Sequence, residues 1–166
     1  MADFPTSRLA LALGSNIGDR LAALQAAVQA VGDYIKIEAI SSVYETAPAY
    51  VSDQPVFLNA VLVGETTVSP LALLWTVKDI ESEIGRQPTY RFGPRVIDID
   101  IIFYGDVVMK APELTIPHAF MQERDFVLRP LSEIAPDWQH PELKKAVAEL
   151  LAELPDSNIK CLGKIL

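Results

Sequence analysis

The chain has one cysteine, Cys161, and two histidines among its 166 residues. A single thiol excludes an intramolecular disulfide and any zinc site built from several thiolates. Basic residues are scarce as well: 14 Lys and Arg stand against 22 Asp and Glu, and the formal charge of −8 repels a polyanionic backbone. No nucleic-acid partner is expected. The sequence has no run of about 18 apolar residues, and residues 1–7 lack a basic stretch leading into an apolar one, so neither membrane insertion nor secretion is expected. The expected location is cytoplasmic. The glycine turn at 14–18 lacks the Lys-Ser/Thr ending of a P-loop, and there is no kinase-type glycine loop with its lysine strand.

What is present suits one folded domain spanning 1–166, with 50% hydrophobic and 22% charged residues. Residues 8–13 form a short apolar run that stops at a glycine turn, the pattern of a buried strand. Asp19 caps a helix over 20–31 whose Leu21, Leu24, Val28 and Val31 fall at helical spacing. Alternation over 35–45 predicts one strand, and 57–66 another. Ser69-Pro70 opens a helix carrying Leu73, Val77, Ile80 and Ile84 on one face, and Gly85 ends it. The almost continuous apolar run 96–104 predicts a buried strand, with Gly105-Asp106 as a hairpin turn into 107–109. Two helices are expected at 126–134 and 142–154, and an edge strand at 159–166. The order strand, helix, strand, strand, helix, strand matches an α+β, ferredoxin-like βαββαβ core in three α/β/α layers, with a C-terminal helical extension. That fold hosts many functions and chooses none.

The sharpest chemical feature is Asp98-Ile99-Asp100 at the head of the apolar strand. Alternation puts both carboxylates on one face with Cα atoms roughly 6.6 Å apart. Two such anions at about 5 Å repel by roughly 3 kcal/mol at an effective dielectric near 20, so the pair wants cations beside it. Magnesium takes one or two carboxylates and completes its shell with phosphate and water. From 85 to 97 there is no acid, while Arg86, Arg91 and Arg95 fall within ten residues. Guanidiniums beside a magnesium pair suit a polyphosphate, although a structural network of Arg and Asp explains the same residues. Phe92, in a polar loop, offers a stacking face for a flat heterocycle, and Asn59 offers paired amide contacts. His118, with Arg124 six residues on, can donate to a phosphate oxygen. His140, beside Pro141, reads as surface. Paired aspartates on such a sheet also suit nucleotidyl transfer with pyrophosphate release, and the topology alone suits a small-molecule sensor or RNA binder.

Leu13-Gly14-Ser15-Asn16, Asp53-Gln54-Pro55 with Phe57-Leu58-Asn59, Gly85-Arg86, Arg91-Phe92-Gly93-Pro94-Arg95 running into Asp98-Ile99-Asp100, and Leu114-Thr115-Ile116-Pro117-His118 stand in one order. Over residues 8–138 the chain resembles the 6-hydroxymethyl-7,8-dihydropterin pyrophosphokinase family of folate biosynthesis. The resemblance implies transfer of the β,γ-diphosphate of ATP to the pterin hydroxymethyl group, with release of AMP. It implies Asp98 and Asp100 as ligands of two magnesium ions, and Arg86 and Arg95 beside them as catalytic residues. It implies Glu81, Arg86, Arg95, Ile99, Thr115, His118 and Arg124 on the ATP side. On the pterin side it implies Thr46, Ala47, Pro48, Ala49, Phe57, Asn59, Phe92 and Phe126, with Phe92 and Phe126 sandwiching the ring. The partners implied are the two small-molecule substrates, and a monomer is expected. Loops 46–55 and 85–95 are expected to close over the site and exclude water. Glu113 and Ala119 stand where some family members carry an arginine and a tyrosine.

Overall fold

The computed structural model describes residues 5–46, 55–86 and 94–165. Strand β1 (Ser7–Ser15) is buried along most of its length and lies inside a six-stranded antiparallel sheet. It leads into α1 (Arg20–Val31), whose first turn is capped by Asp19 Oδ1 accepting from the Ala22 amide at 3.1 Å. The expected strand over 35–45 forms as two pieces, β2 (Lys36–Ile40) and β3 (Ser42–Thr46). Ser41 is the break: its Oγ accepts the Val61 amide at 2.9 Å and takes the place of a ladder partner. Both pieces pair with β4 (Phe57–Thr66), which also pairs with β1.

The second helix, α2 (Pro70–Ile84), has its proline in the first turn and ends on Gly85 in the left-handed conformation, φ 118°. Next in the sheet is β5 (Asp98–Tyr104), the strand with the paired aspartates. Among the described residues it pairs with β1 on one side only, so it is an edge strand, followed in the sheet by β1, β4 and β3. The expected hairpin at Gly105 does not form. Instead the Gly105 amide donates to Arg8 O at 2.6 Å, and the chain goes on to a separate two-stranded ribbon, β6 (Met109–Lys110) with β7 (Thr115–Ile116). Helix α3 (Asp125–Ile134) follows, as expected. Of the helix expected over 142–154, only α4 (Val147–Ala152) is helical. The final strand, β8 (Lys160–Lys164), pairs with β3.

Two apolar clusters flank the sheet. Leu9, Leu11, Leu13, Leu58, Leu62 and Ile99 point to one face and pack on α1 and α2. Ala10, Val61, Val63 and Ile102 point to the other and pack on α3 and α4. The result is the three-layer α/β/α arrangement of a ferredoxin-like α+β fold. His140 is not on the surface as its neighbours suggest: it is buried edge-on to Phe103, and its Nδ1 accepts the Glu142 and Leu143 amides.

Candidate active site

Strand register brings the sequence-predicted residues together. Gly14 pairs with Asp98 on one side and with Asn59 on the other, so Asp98, Gly14 and Asn59 form one row across β5, β1 and β4. Residues directly opposite in antiparallel strands share a face, and two strand spacings put Asn59 about 10 Å from Asp98. A side chain on Gly14 would put its Cβ 3.2 Å from Asn59 Oδ1 and 3.5 Å from Phe57 Cδ1. Glycine therefore leaves the floor between the two ends open. At the Asn59 end, Asn59 Nδ2 donates to Thr46 Oγ1 at 2.6 Å, both residues are buried, and Phe57 pairs with Thr46 in the ladder. Ala47, Pro48, Ala49, Arg91 and Phe92 lie outside the described residues.

At the other end lies a cleft of about 370 Å³ along the free edge of β5. Because it wraps that edge, it collects side chains of both parities: Asp98 and Asp100 from one face, Ile99 and Ile101 from the other. Arg86 Nη1 lies 3.4 Å from Asp98 Oδ1, and Arg95 Nη1 lies 3.5 Å from Asp98 Oδ2. Asp100 pairs with Ala12 through the backbone, and its carboxylate faces the charges of Asp98, Arg124, Glu81 and Arg95. Burial, and then the charge of Asp98, push its carboxyl up to about 7. The two carboxylates share a face with only long guanidinium contacts to one of them, which fits a hard dication that takes oxygen ligands. The described residues contain no group of three or more His, Cys, Asp or Glu placed to hold a metal. The remaining positions of such a shell would have to come from substrate oxygens and water. Arg95 Nε is buried with no hydrogen-bond partner among the described residues, an orphaned donor suited to an anion.

The edge of β5 is fixed from two sides. The His118 amide donates to Ile102 O at 3.0 Å, and the imidazole reaches the cleft. His118 Nδ1 accepts the Phe120 amide at 3.3 Å, which leaves Nε2 as the N–H donor. Burial, reinforced by Arg124, pushes this imidazole down to about 4, so it is a neutral donor. Glu81 approaches the same edge from α2, with burial raising its pKa against the opposing pull of the Ile99 amide and Arg86. Thr115 lines the cleft beside Leu114. Arg124 sits 5.6 Å from the Phe120 ring and 5.7 Å from the Phe126 ring, and Phe126 packs partly buried against the α3 cluster.

Sequence reading passed over several residues that the structure brings to the site. Leu74, Lys78 and Ile101 line the cleft, and Ile101 was detectable as the next residue of Ile99's parity. Asn16 is fully buried where the two long loops return to the sheet. Its amide donates to Arg95 O at 3.0 Å, its Oδ1 accepts the Arg95 amide at 2.7 Å, and its Nδ2 donates to Pro55 O at 3.2 Å.

Paired carboxylates on an edge strand of a ferredoxin-like sheet, with guanidiniums brought in from the segments before it, suit an enzyme that moves phosphate groups. The chain belongs to the 7,8-dihydro-6-hydroxymethylpterin-pyrophosphokinase (HPPK) family, whose pattern matches residues 10–136. It is 39% identical over 155 residues to the 2-amino-4-hydroxy-6-hydroxymethyldihydropteridine pyrophosphokinase of Aquifex aeolicus, covering 93% of this chain and 97% of that protein. It is 45% identical over 152 residues to the folic acid synthesis protein fol1 of Schizosaccharomyces pombe, covering 90% of this chain but only 21% of that longer protein. The fold is similar to that of Plasmodium falciparum HPPK-DHPS in its wild-type crystal structure, with a TM-score of 0.75 and 19% identity, over 92% of this chain and 45% of that one.

Proposed function

We propose that the chain, acting as one unit over residues 1–166, transfers the β,γ-diphosphate of ATP to the hydroxymethyl oxygen of 6-hydroxymethyl-7,8-dihydropterin and releases AMP. The observation that carries this reading is the row Asp98–Gly14–Asn59, with its phosphate-binding chemistry at one end and its buried amide at the other. Family membership supplies the substrates.

Reaction at a phosphorus centre asks the protein mainly for positioning and charge neutralisation. The pterin hydroxyl oxygen forms the new bond to the β-phosphorus as the bond from that phosphorus to the AMP oxygen breaks and the hydroxyl proton passes to solvent, so no protein nucleophile is needed. Asp98 and Asp100 are the residues that would hold two magnesium ions, which supply charge neutralisation at the phosphate oxygens when bound. Arg86 and Arg95 offer forked donors to the same oxygens, Arg95 with an Nε otherwise unused. His118 adds an uncharged N–H, and Arg124 a further cation. The apolar wall of Leu74, Ile99, Ile101 and Leu114, with Thr115, suits the nucleoside. Asn59 and Thr46 supply hydrogen bonds to the amide edge of the pterin, and Phe57 and Phe126 supply ring faces. Ala47, Pro48, Ala49 and Phe92 complete the pterin side in the same reading, and a cytoplasmic monomer is part of it. No helix among the described residues is long and apolar enough to cross a membrane.

Asp98→Ala and Asp100→Ala should each abolish magnesium-dependent AMP formation while leaving the circular dichroism and unfolding midpoint of the protein close to wild type. Retained turnover in either variant would overturn the metal assignment.

A further inference from the structure

Glu81 stands where an apolar residue belongs. It lies four residues after Val77 on the stripe that buries Leu73, Val77 and Ile80, and it is only 5% exposed. A buried carboxylate there is costly unless it is fully partnered. Both of its oxygens are engaged by the protein. Oε2 accepts the Ile99 amide at 2.7 Å, and Oε1 accepts from Arg86 Nη1 at 2.9 Å. The Arg86 amide also donates to Glu81 O at 3.0 Å, through the left-handed turn at Gly85.

These contacts meet at one place. Ile99 is the residue between Asp98 and Asp100, on an edge strand whose outward amides have no strand to pair with among the described residues. The nitrogen of Arg86 that Glu81 holds is the one lying 3.4 Å from Asp98 Oδ1. One carboxylate thus fixes the backbone that aims both aspartates and the guanidinium that flanks them. We propose that Glu81 is a positioning residue that acts on the reaction through Arg86 and the Ile99 backbone, with no contact to the nucleotide. The inference rests on the pyrophosphokinase reading of this cleft and gives Glu81 a different role from the ATP contact that the family resemblance implies.

The test combines Glu81→Ala and Glu81→Gln with Arg86→Ala in a double-mutant cycle, read by steady-state AMP formation and by amide NMR of the folded proteins. Glu81→Ala should lower kcat about 10- to 100-fold, the scale of a misplaced catalytic group, with KM for ATP nearly unchanged. Glu81→Gln keeps an acceptor for Ile99 and should recover part of that loss. In the Arg86→Ala background, Glu81→Ala should cost much less than it does alone, because the two residues act as a unit. The Ile99 amide should lose its exchange protection in Glu81→Ala and keep it in Glu81→Gln, a readout independent of turnover. A rise in KM for ATP at unchanged kcat, additive losses across the cycle, or an Ile99 amide indifferent to Glu81→Ala would each overturn the positioning role. Wild-type protein that forms no AMP from ATP and the pterin would overturn the functional reading and this inference with it. Active wild type with additive variants would overturn this inference alone.

Discussion

His118 and His140 are the two histidines of the chain, and burial lowers the pKa of both, one at the cleft and one edge-on to Phe103. Each uses Nδ1 to accept backbone amides, and those contacts are lost when the ring is protonated. Their folded pKa values lie below the unfolded value near 6.5, so the unfolded chain takes up protons first. The stability they contribute is present above pH 6.5 and is lost as pH falls toward the folded values, about 4 for His118. With two histidines the check is simple. In the nucleotide-free protein both imidazoles should titrate below 6.5 by NMR, His118 near 4. A normal midpoint for either would show that its ring is not held as described.

At the scale of elements, the site depends on how the ends of three strands are tied together. Asn16 joins the end of β1 to the segment entering β5 and to Pro55 before β4, with every polar atom of its side chain in use. Asn16→Ala strands the Arg95 amide and Pro55 O, and should cost about 1–3 kcal/mol in urea unfolding with an unchanged m value. A change within about 0.5 kcal/mol would mean that the loop ends are held by other contacts. Much of this was legible beforehand. The helix over 70–84 follows from periodicity and its closing Gly85, that over 20–31 from its Asp19 cap although Leu21 of the expected stripe is exposed, and the facing of Asp98 and Asp100 follows from alternation. The rest depended on tertiary partners. Ser41 breaks its strand because its hydroxyl replaces a ladder bond with Val61, which alternation does not register. Gly105-Asp106 has the residues of a hairpin turn, and nothing local shows that Arg8 O takes the Gly105 amide. Polar neighbours hid the burial of His140 under Phe103. Asn16 and Glu81 carried a weak signal, a polar residue inside a glycine turn and an acid on an apolar stripe, whose meaning appears only once Arg95 and Ile99 are beside them.

For the molecule as a whole, the net charge of −8 and the local cluster of arginines belong to one electrostatic design. An acidic surface disfavours polyanions in general, while Arg86 and the neutral donor His118 line one cleft and Arg95 lies against its Asp98, a local set of donors suited to one polyphosphate. The sheet carries that cleft on the edge of β5 and Asn59 two strands inward, and in the proposed function the two substrates meet over Gly14. In the proposed function this geometry transfers diphosphate rather than a nucleotidyl group. The direct measurement resolves AMP, ADP and pyrophosphate after incubation of the protein with ATP and magnesium, with and without 6-hydroxymethyl-7,8-dihydropterin. AMP that forms only with the pterin, in step with pterin diphosphate and without free pyrophosphate, is the predicted result. Pyrophosphate release, or AMP formation indifferent to the pterin, would contradict it.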